Sequence, residues 1–195
     1  MSDLQQQLDF LLELDKSKSV YRQTYLSDGS RKENDAEHSW HLAVMVMLLS
    51  DYANEKIDVL RTLKMVLLHD IIEIDAGDTY AYDVKANETK ETRERLAADR
   101  LYGLLPQPQK EEYLKIWEEF EAMDTPEARF ANTIDKLQPV MLTNAANGKS
   151  WKEHQVKESQ IMGRNVRTHE GSEEIWQHFK KIIEENIENG NISKD

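Results

Sequence analysis

Cysteine is absent from the 195-residue sequence. Disulfides and thiolate metal sites are thereby excluded, and any bound metal must rest on nitrogen and oxygen donors. Glycine and proline are scarce, at 7 and 4 residues, and the apolar residues recur mostly at helical spacing. No apolar run approaches the roughly 18 to 20 residues needed to span a bilayer. The opening MSDLQQQLDF has neither a basic n-region nor an apolar h-region, so no secretory signal is expected and a cytoplasmic protein is the plain reading. Positive charge is in deficit: 25 Lys and Arg stand against 37 Asp and Glu, a net charge of −12. Such a surface repels nucleic-acid polymers and anionic membranes. A small anionic substrate remains compatible, provided a cation or a few basic side chains assist locally.

What is present describes a globular chain. Apolar residues make up 39% and charged residues 32%, and the length suits one domain over 1–195 with a substantial core. A first helix is expected over Leu4 to Leu14, with Leu4, Leu8, Leu11 and Leu12 on one stripe. Ser27-Asp28-Gly29-Ser30 signals a turn. Asn34 or Asp35 can cap the helix through HSWHLAVMVMLLSDYA. Residues 57 to 74 read as the most apolar helix, ending near Ala76-Gly77 and placed at the centre. A loop is expected over 78 to 87, then two charged amphipathic helices split by Leu105-Pro106-Gln107-Pro108. Thr125 and Pro126 open another helix as N-cap and first residue. Ser150 and Glu153 suggest a capping box, Ser172 caps the last helix, and the tail NISKD reads as loose. No segment reads as a strand, so the expected class is all-α, a helical bundle with its site core over roughly 30–145 and C-terminal helices over 150–190.

Four positions combine ligand-type side chains with helical surroundings. His38 lies in the first turn of AEHSWH, His69 and Asp70 are adjacent in MVLLHDIIEI, and Asp135 sits in FANTIDKLQPV. Burying a carboxylate costs several kcal/mol (order of magnitude) unless it is paired or bound to a cation. Two imidazoles with two carboxylates suit one divalent ion such as Mn, Co, Fe or Zn. Residue by residue the blander readings hold: a histidine on an apolar helix is more often a satisfied core group, Glu73 alone is a solvated acid at a helix end, and Asp78 alone is a turn former after glycine.

The motif text carries more. His38, His69-Asp70 and Asp135 together resemble the H…HD…D signature of the HD superfamily of metal-dependent phosphohydrolases. The run HDIIEIDAGD, with Glu73 three residues after Asp70 and Asp78 eight after it, resembles the branch containing the 5′-deoxynucleotidases. Arg31-Lys-Glu33 followed by His38 resembles that branch's R-x-E-x₄-H segment, and IWEEFE at 116–121 and ARF at 128–130 are similar too. The resemblance covers roughly residues 10 to 145. It implies an HD-domain bundle hydrolysing (deoxy)nucleoside 5′-monophosphates, with one divalent cation on His38, His69, Asp70 and Asp135. It implies Glu73 as the residue that orients or deprotonates the attacking water, Asp78 and Thr79 as sugar contacts, and a homodimer.

One departure bears on specificity. The best-known nucleotidases of this type carry an Arg-Trp pair near the N-terminal loop, binding phosphate and crowding the sugar's 2′ position. Here the region reads DKSKSVYRQ. Lys16, Lys18 or Arg22, with Arg31, is expected to supply the charge, and no tryptophan is present there. Other HD chemistries fit less well. Guanosine tetraphosphate hydrolases resemble HDxxED, whereas Ile74 follows Glu73 here. Dinuclear sites take further histidines between the dyad and the last Asp, and residues 71–134 contain none. A non-catalytic nucleotide-binding module would not need all four ligands plus Glu73. His41 is expected to pack on its helix, and His154, His169 and His178 to lie on the surface. The four tryptophans are expected in the core or at a dimer contact.

Overall fold

A computed structural model of the chain describes residues 1–82, 85 and 88–195. Helix α1 (Asp3–Leu14) leads through a 3-10 turn, Asp15–Ser19, into strand β1 (Tyr21–Tyr25), which pairs antiparallel with β2 (Lys32–Asn34). There follow α2 (Asp35–Leu49), α3 (Val59–Leu68), a 3-10 segment at His69–Ile72, α4 (Glu73–Ala76), α5 (Lys90–Tyr102), α6 (Gln107–Ala122) and α7 (Pro126–Ala145). Four more helices complete the chain: α8 (Lys149–Glu153), α9 (Glu158–Arg164), α10 (Thr168–Gly171) and α11 (Glu173–Glu188). The class is all-α as expected, with a two-stranded ribbon added. Residues 83, 84, 86 and 87 of the expected 78–87 loop lie outside the described residues.

The ribbon corrects the reading that no strand is present. Five residues of β1 oppose three of β2, with Tyr21 across from Asn34 and Tyr25 across from Lys32, so the ladder is irregular between them. An irregular stretch of this kind re-aims side chains, and Arg22 falls within it and is buried.

The long apolar helix also departs from expectation. It breaks at the His-Asp dyad, passing from α3 through the 3-10 segment into the single turn of α4. A change of helix type disturbs the carbonyl ladder, and the buried Tyr102 hydroxyl donates to the carbonyl of Leu68 at 2.7 Å. Gly77 ends the segment at φ +74, a conformation that glycine adopts without steric cost.

Helix α2 begins where the sequence put it. The Asn34 side chain accepts from the backbone of Glu37 at 3.0 Å, and the Glu37 carboxylate accepts from the Asn34 backbone at 3.2 Å. This reciprocal cap satisfies two otherwise orphaned donors, worth about 1 kcal/mol, and sets the helix turn that carries His38. Thr125 and Ser172 likewise cap α7 and α11. Ser150 does not cap: α8 starts after Gly148, and the Ser150 hydroxyl donates to the Gln23 carbonyl instead.

The core is built around α7, which touches α2, α3, α6, α10 and α11. Its buried Phe130, Ile134 and Leu137 meet a cluster that includes Leu42, Val46, Met65, Val66, Phe120, Phe179 and Ile183. Two expectations fail at the ends of the chain. Helix α1 buries Phe10, while Leu4, Leu8, Leu11 and Leu12 stay exposed. The C-terminal tail is pinned, not loose: Ile192 is buried, Ser193 pairs with Lys157, and Asp195 accepts from Ser159. Among the described residues no helix is long and apolar enough to cross a membrane.

Candidate metal centre and the cavity beside it

The site forms where α2, the 3-10 segment and α7 converge. His38 Nε2 lies 3.0 Å from Asp135 Oδ1 and 3.7 Å from Asp70 Oδ2. His69 Nε2 lies 3.1 Å from Asp70 Oδ1 and 3.6 Å from Asp135 Oδ1. Ligand atoms of His38, His69 and Asp135 all fall within 4.8 Å of one another. A second group of the same compactness comprises Asp35, Asp70 and Glu73, and Asp70 joins the two.

Both rings are held from behind. The Nδ1 of His38 pairs with Gln138 Oε1 and that of His69 with the Val66 carbonyl, each at 3.1 Å. An acceptor behind Nδ1 draws the proton to that nitrogen and leaves Nε2 as a lone pair facing the carboxylates. Among the described residues, His69 Nε2 is buried without a hydrogen-bond partner. An orphaned imidazole nitrogen beside two buried carboxylates is the donor chemistry that a borderline divalent cation satisfies. The residues present therefore fit a metal.

Sequence reasoning missed the supports. Gln138 stands one turn after Asp135 on α7, a spacing that was available to find it. Its amide nitrogen donates to Glu33 Oε2 at 2.8 Å and contacts His41 Nδ1 at 3.2 Å. Arg22 is the hub of a buried acidic nest: Nη1 donates to Asp70 Oδ2 at 2.7 Å, with Asp35 at 3.5 Å and Glu33 at 3.7 Å. Arg22 thus braces Asp70. The other basic candidates turn away. Lys16 pairs with Glu13, Lys18 with Asp15 and Arg31 with Glu37, all three exposed and none lining the cavity. Charge and sequence proximity single these residues out but do not report the direction of a side chain.

A cavity of about 220 Å³ opens beside the cluster. It is lined by His69, Asp70, Glu73 and Asp135, and also by Asp78, Thr79, Lys90, Glu94 and Glu121. Thr79 is held by Arg93, which donates to its hydroxyl at 2.9 Å and also to the Ala76 carbonyl. A second pocket continues past Asp78 and Thr79 toward Tyr80, Tyr82, Val140, Trp151 and Ile161.

Burial sets the electrostatics. Burial, then the negative charges of Asp70, Asp78 and Asp35, push Glu73 well above the usual glutamate range against the pull of Arg22. Asp35 is raised from 3.8 to about 7 by burial and Asp70, and Asp78 is raised by burial. Asp135 and Asp70 go the other way: burial would raise them, but the histidines, and for Asp70 also Arg22, hold them low. Burial would lower His69, yet Asp70 and Asp135 raise it well above 6.5. Without a cation, the two carboxylates favour a second proton on His69, at the Nε2 that would otherwise turn its lone pair to a metal.

The sign of the linkage follows. Groups whose folded pKa is raised bind protons in the folded state that the unfolded chain has released, so stability falls as pH rises through that window. For Asp35 the window runs from 3.8 to about 7, and Glu73 and His69 act in the same direction. Asp70 and Asp135, being depressed, change stability only toward the acid end. Metal-free protein is expected to melt at lower temperature near about pH 8 than near about pH 5.5, with added Mn²⁺ removing the difference. Scanning fluorimetry with and without chelator checks this. Equal melting temperatures at the two pH values without metal would count against the protonated cluster.

Comparisons with known proteins bear on the family and the fold. An HD domain family model matches residues 14–176. The 5′-deoxynucleotidase HDDC2 of Xenopus laevis is 33% identical over 122 residues, 63% of this chain and 57% of the relative. The 5′-deoxynucleotidase hdd1 of Schizosaccharomyces pombe is 30% identical over 139 residues, 67% of each. The chain matches 57–65% of the length of its vertebrate relatives from Xenopus laevis, Homo sapiens and Bos taurus. Among solved structures, one from Magnetospirillum magnetotacticum described as a predicted metal-dependent phosphohydrolase is 44% identical, with TM-score 0.94 over 98% of this chain and 96% of that one. A conserved hypothetical protein from Pyrococcus furiosus is 25% identical, with TM-score 0.62 over 91% and 97%. A fold matched nearly end to end and a family match spanning the entire His-Asp cluster lead to one assignment: this chain belongs to the HD domain family.

Proposed function

We propose that the chain hydrolyses nucleoside 5′-monophosphates to nucleoside and phosphate. One divalent cation, Mn, Co, Fe or Zn, would be held by His38, His69, Asp70 and Asp135. The observation that carries the reading is a buried pair of imidazoles and pair of carboxylates opening, beside Glu73, into a cavity edged by Asp78 and Thr79. The relatives named 5′-deoxynucleotidase support the substrate class.

The chemistry assigns each residue a task. A divalent cation lowers the pKa of water and polarises a phosphoryl oxygen. Glu73, made basic by burial, takes the proton of the water whose oxygen attacks phosphorus. The same proton passes to the leaving 5′-oxygen as the P–O bond breaks. Arg22 holds Asp70 at its post, and Gln138 and the Val66 carbonyl fix the tautomers of the two histidines. Asp78 accepts from a sugar hydroxyl, with Thr79 braced beside it.

A panel of nucleoside 5′- and 3′-monophosphates under several divalent cations tests the reading. Turnover is expected for the 5′-series, with one metal per chain and loss of activity on chelation. With no tryptophan in residues 15–23, the deoxy-over-ribo preference is expected to stay at about 10²-fold or below, the limit for a pocket that merely tolerates a hydroxyl. No turnover of any nucleoside monophosphate would reject the assignment. A homodimer belongs to the same reading, supported by the exposed Leu4, Leu8, Leu11 and Leu12. Light scattering at micromolar concentration should return twice the chain mass, and a monomer mass would exclude it.

A further inference from the structure

Eight carboxyl-bearing residues crowd this site: Glu33 and Asp35 in the nest, and Asp70, Glu73, Asp78, Glu94, Glu121 and Asp135 along the cavity. On a chain of net charge −12, such a lining opposes entry of a phosphate dianion. Four basic side chains, Arg22, Lys90, Lys136 and Arg164, share the cavity wall. Two are already engaged. Arg22 is bound to Asp70 at 2.7 Å, and Lys90 pairs with Glu94 at 3.4 Å. Lys136 and Arg164 have no hydrogen bond or ion pair among the described residues. Both line the metal-side cavity and the aromatic pocket beyond it, so they stand at the junction of the two.

We propose that Arg164, with Lys136 beside it, is the phosphate-binding element of the site. Lys136 follows the candidate ligand Asp135 on α7, and Arg164 ends α9 and lines the same two pockets. The inference rests on the phosphomonoester reading above and supplies what Lys16, Lys18 and Arg31 do not. The planar guanidinium offers two parallel donors to two phosphate oxygens, whereas the lysine contributes a point charge. The placement also gives the C-terminal helices a role in recognition: α9 lies beyond the segment that carries the candidate metal ligands, and it adds a cation to the cavity lining.

The test uses metal-loaded full-length protein and inorganic phosphate as the probe, titrated by calorimetry. Arg164→Gln is expected to weaken phosphate binding roughly 10- to 100-fold, the range for a lost hydrogen bond to a charged group. The KM for a nucleoside 5′-monophosphate should rise in parallel, while metal content and melting temperature stay at wild-type values. Arg164→Lys should recover part of the affinity through its charge, but not the full fork. Unchanged phosphate affinity in Arg164→Gln overturns the proposal. So does a joint loss of phosphate and metal, which would place Arg164 in support of the ligand set. The phosphomonoester reading fails separately, by absence of turnover in the wild-type protein, and phosphate titration still judges Arg164 in that event.

Discussion

Glu73→Gln is expected to lower the turnover of a nucleoside 5′-monophosphate by roughly 10²- to 10⁴-fold, the usual contribution of a positioned acid–base group. Metal content should stay at the wild-type level. Glu73 lies one turn from Asp70 and lines the cavity, yet it is not among the imidazole and carboxylate atoms gathered around Asp135. Its Oε2 is buried with no hydrogen-bond partner among the described residues. A free, raised carboxylate aimed at a cavity is suited to moving a proton and poorly suited to structural support. The amide keeps the shape and is uncharged, like the protonated acid that burial and the charges of Asp70, Asp78 and Asp35 favour. Stability should therefore hold or rise, since an uncharged group is favoured over a negative one in that buried site. Steady-state kinetics, elemental analysis and thermal melts on one preparation decide the point. Near-native turnover would show that another group handles the proton, with Glu94 and Glu121 on the same cavity wall as the next residues to substitute.

Much of this site was legible because ligand chemistry leaves residue types that do not belong in their surroundings. A His-Asp dyad inside MVLLHDIIEI needs a reason, and the same holds for Asp135 in an apolar helix. The caps at Asn34, Thr125 and Ser172 were legible for a similar reason, since each side chain acts on its own next turn. Interactions across the fold were not. Arg22 was an expected phosphate contact, but its role as the hub for Asp70, Asp35 and Glu33 depends on an irregular two-strand ribbon that no periodicity announces. Helical spacing placed the α1 leucines on one face without saying whether anything covers that face. The tail NISKD looked loose by composition, but Ile192 reaches a core pocket and two residues beside it pair with α9 and its N-cap.

The break at the dyad is the most instructive departure. Sixteen of the eighteen residues from 57 to 74 continue a helical reading without a proline or glycine between them. The tighter 3-10 segment spans the two ligand candidates themselves. Such a segment inside a helix often marks a functional position, and here Tyr102, far away in sequence, satisfies the Leu68 carbonyl where the change begins. A tertiary partner, not local preference, permits the geometry that sets His69 and Asp70 at the cavity.

Asp70→Ala is expected to abolish metal binding and reduce activity below detection, and its effect on stability should depend on whether metal is present. In metal-free protein two effects oppose. Removing one partner of a buried ion pair costs about 3–5 kcal/mol when the other charge is stranded. Arg22 is not stranded here, because Asp35 at 3.5 Å and Glu33 at 3.7 Å remain. At the same time Asp35 and Glu73 lose the negative charge that raises them. The metal-free variant should therefore fall short of that full cost, within about 2 kcal/mol of metal-free wild type, or about 4–8 °C in melting temperature for a chain of this size. Adding metal separates the two proteins. Wild type gains about 4 kcal/mol at a free metal concentration about 1,000-fold above its dissociation constant, by mass action alone. The variant, lacking the carboxylate that joins His69 to the nest, gains nothing. Thermal melts across a Mn²⁺ titration, with elemental analysis after desalting, measure both quantities. A variant whose melting temperature rises with metal as the wild type's does would remove Asp70 from the ligand set and leave His38, His69 and Asp135 to hold the cation without it.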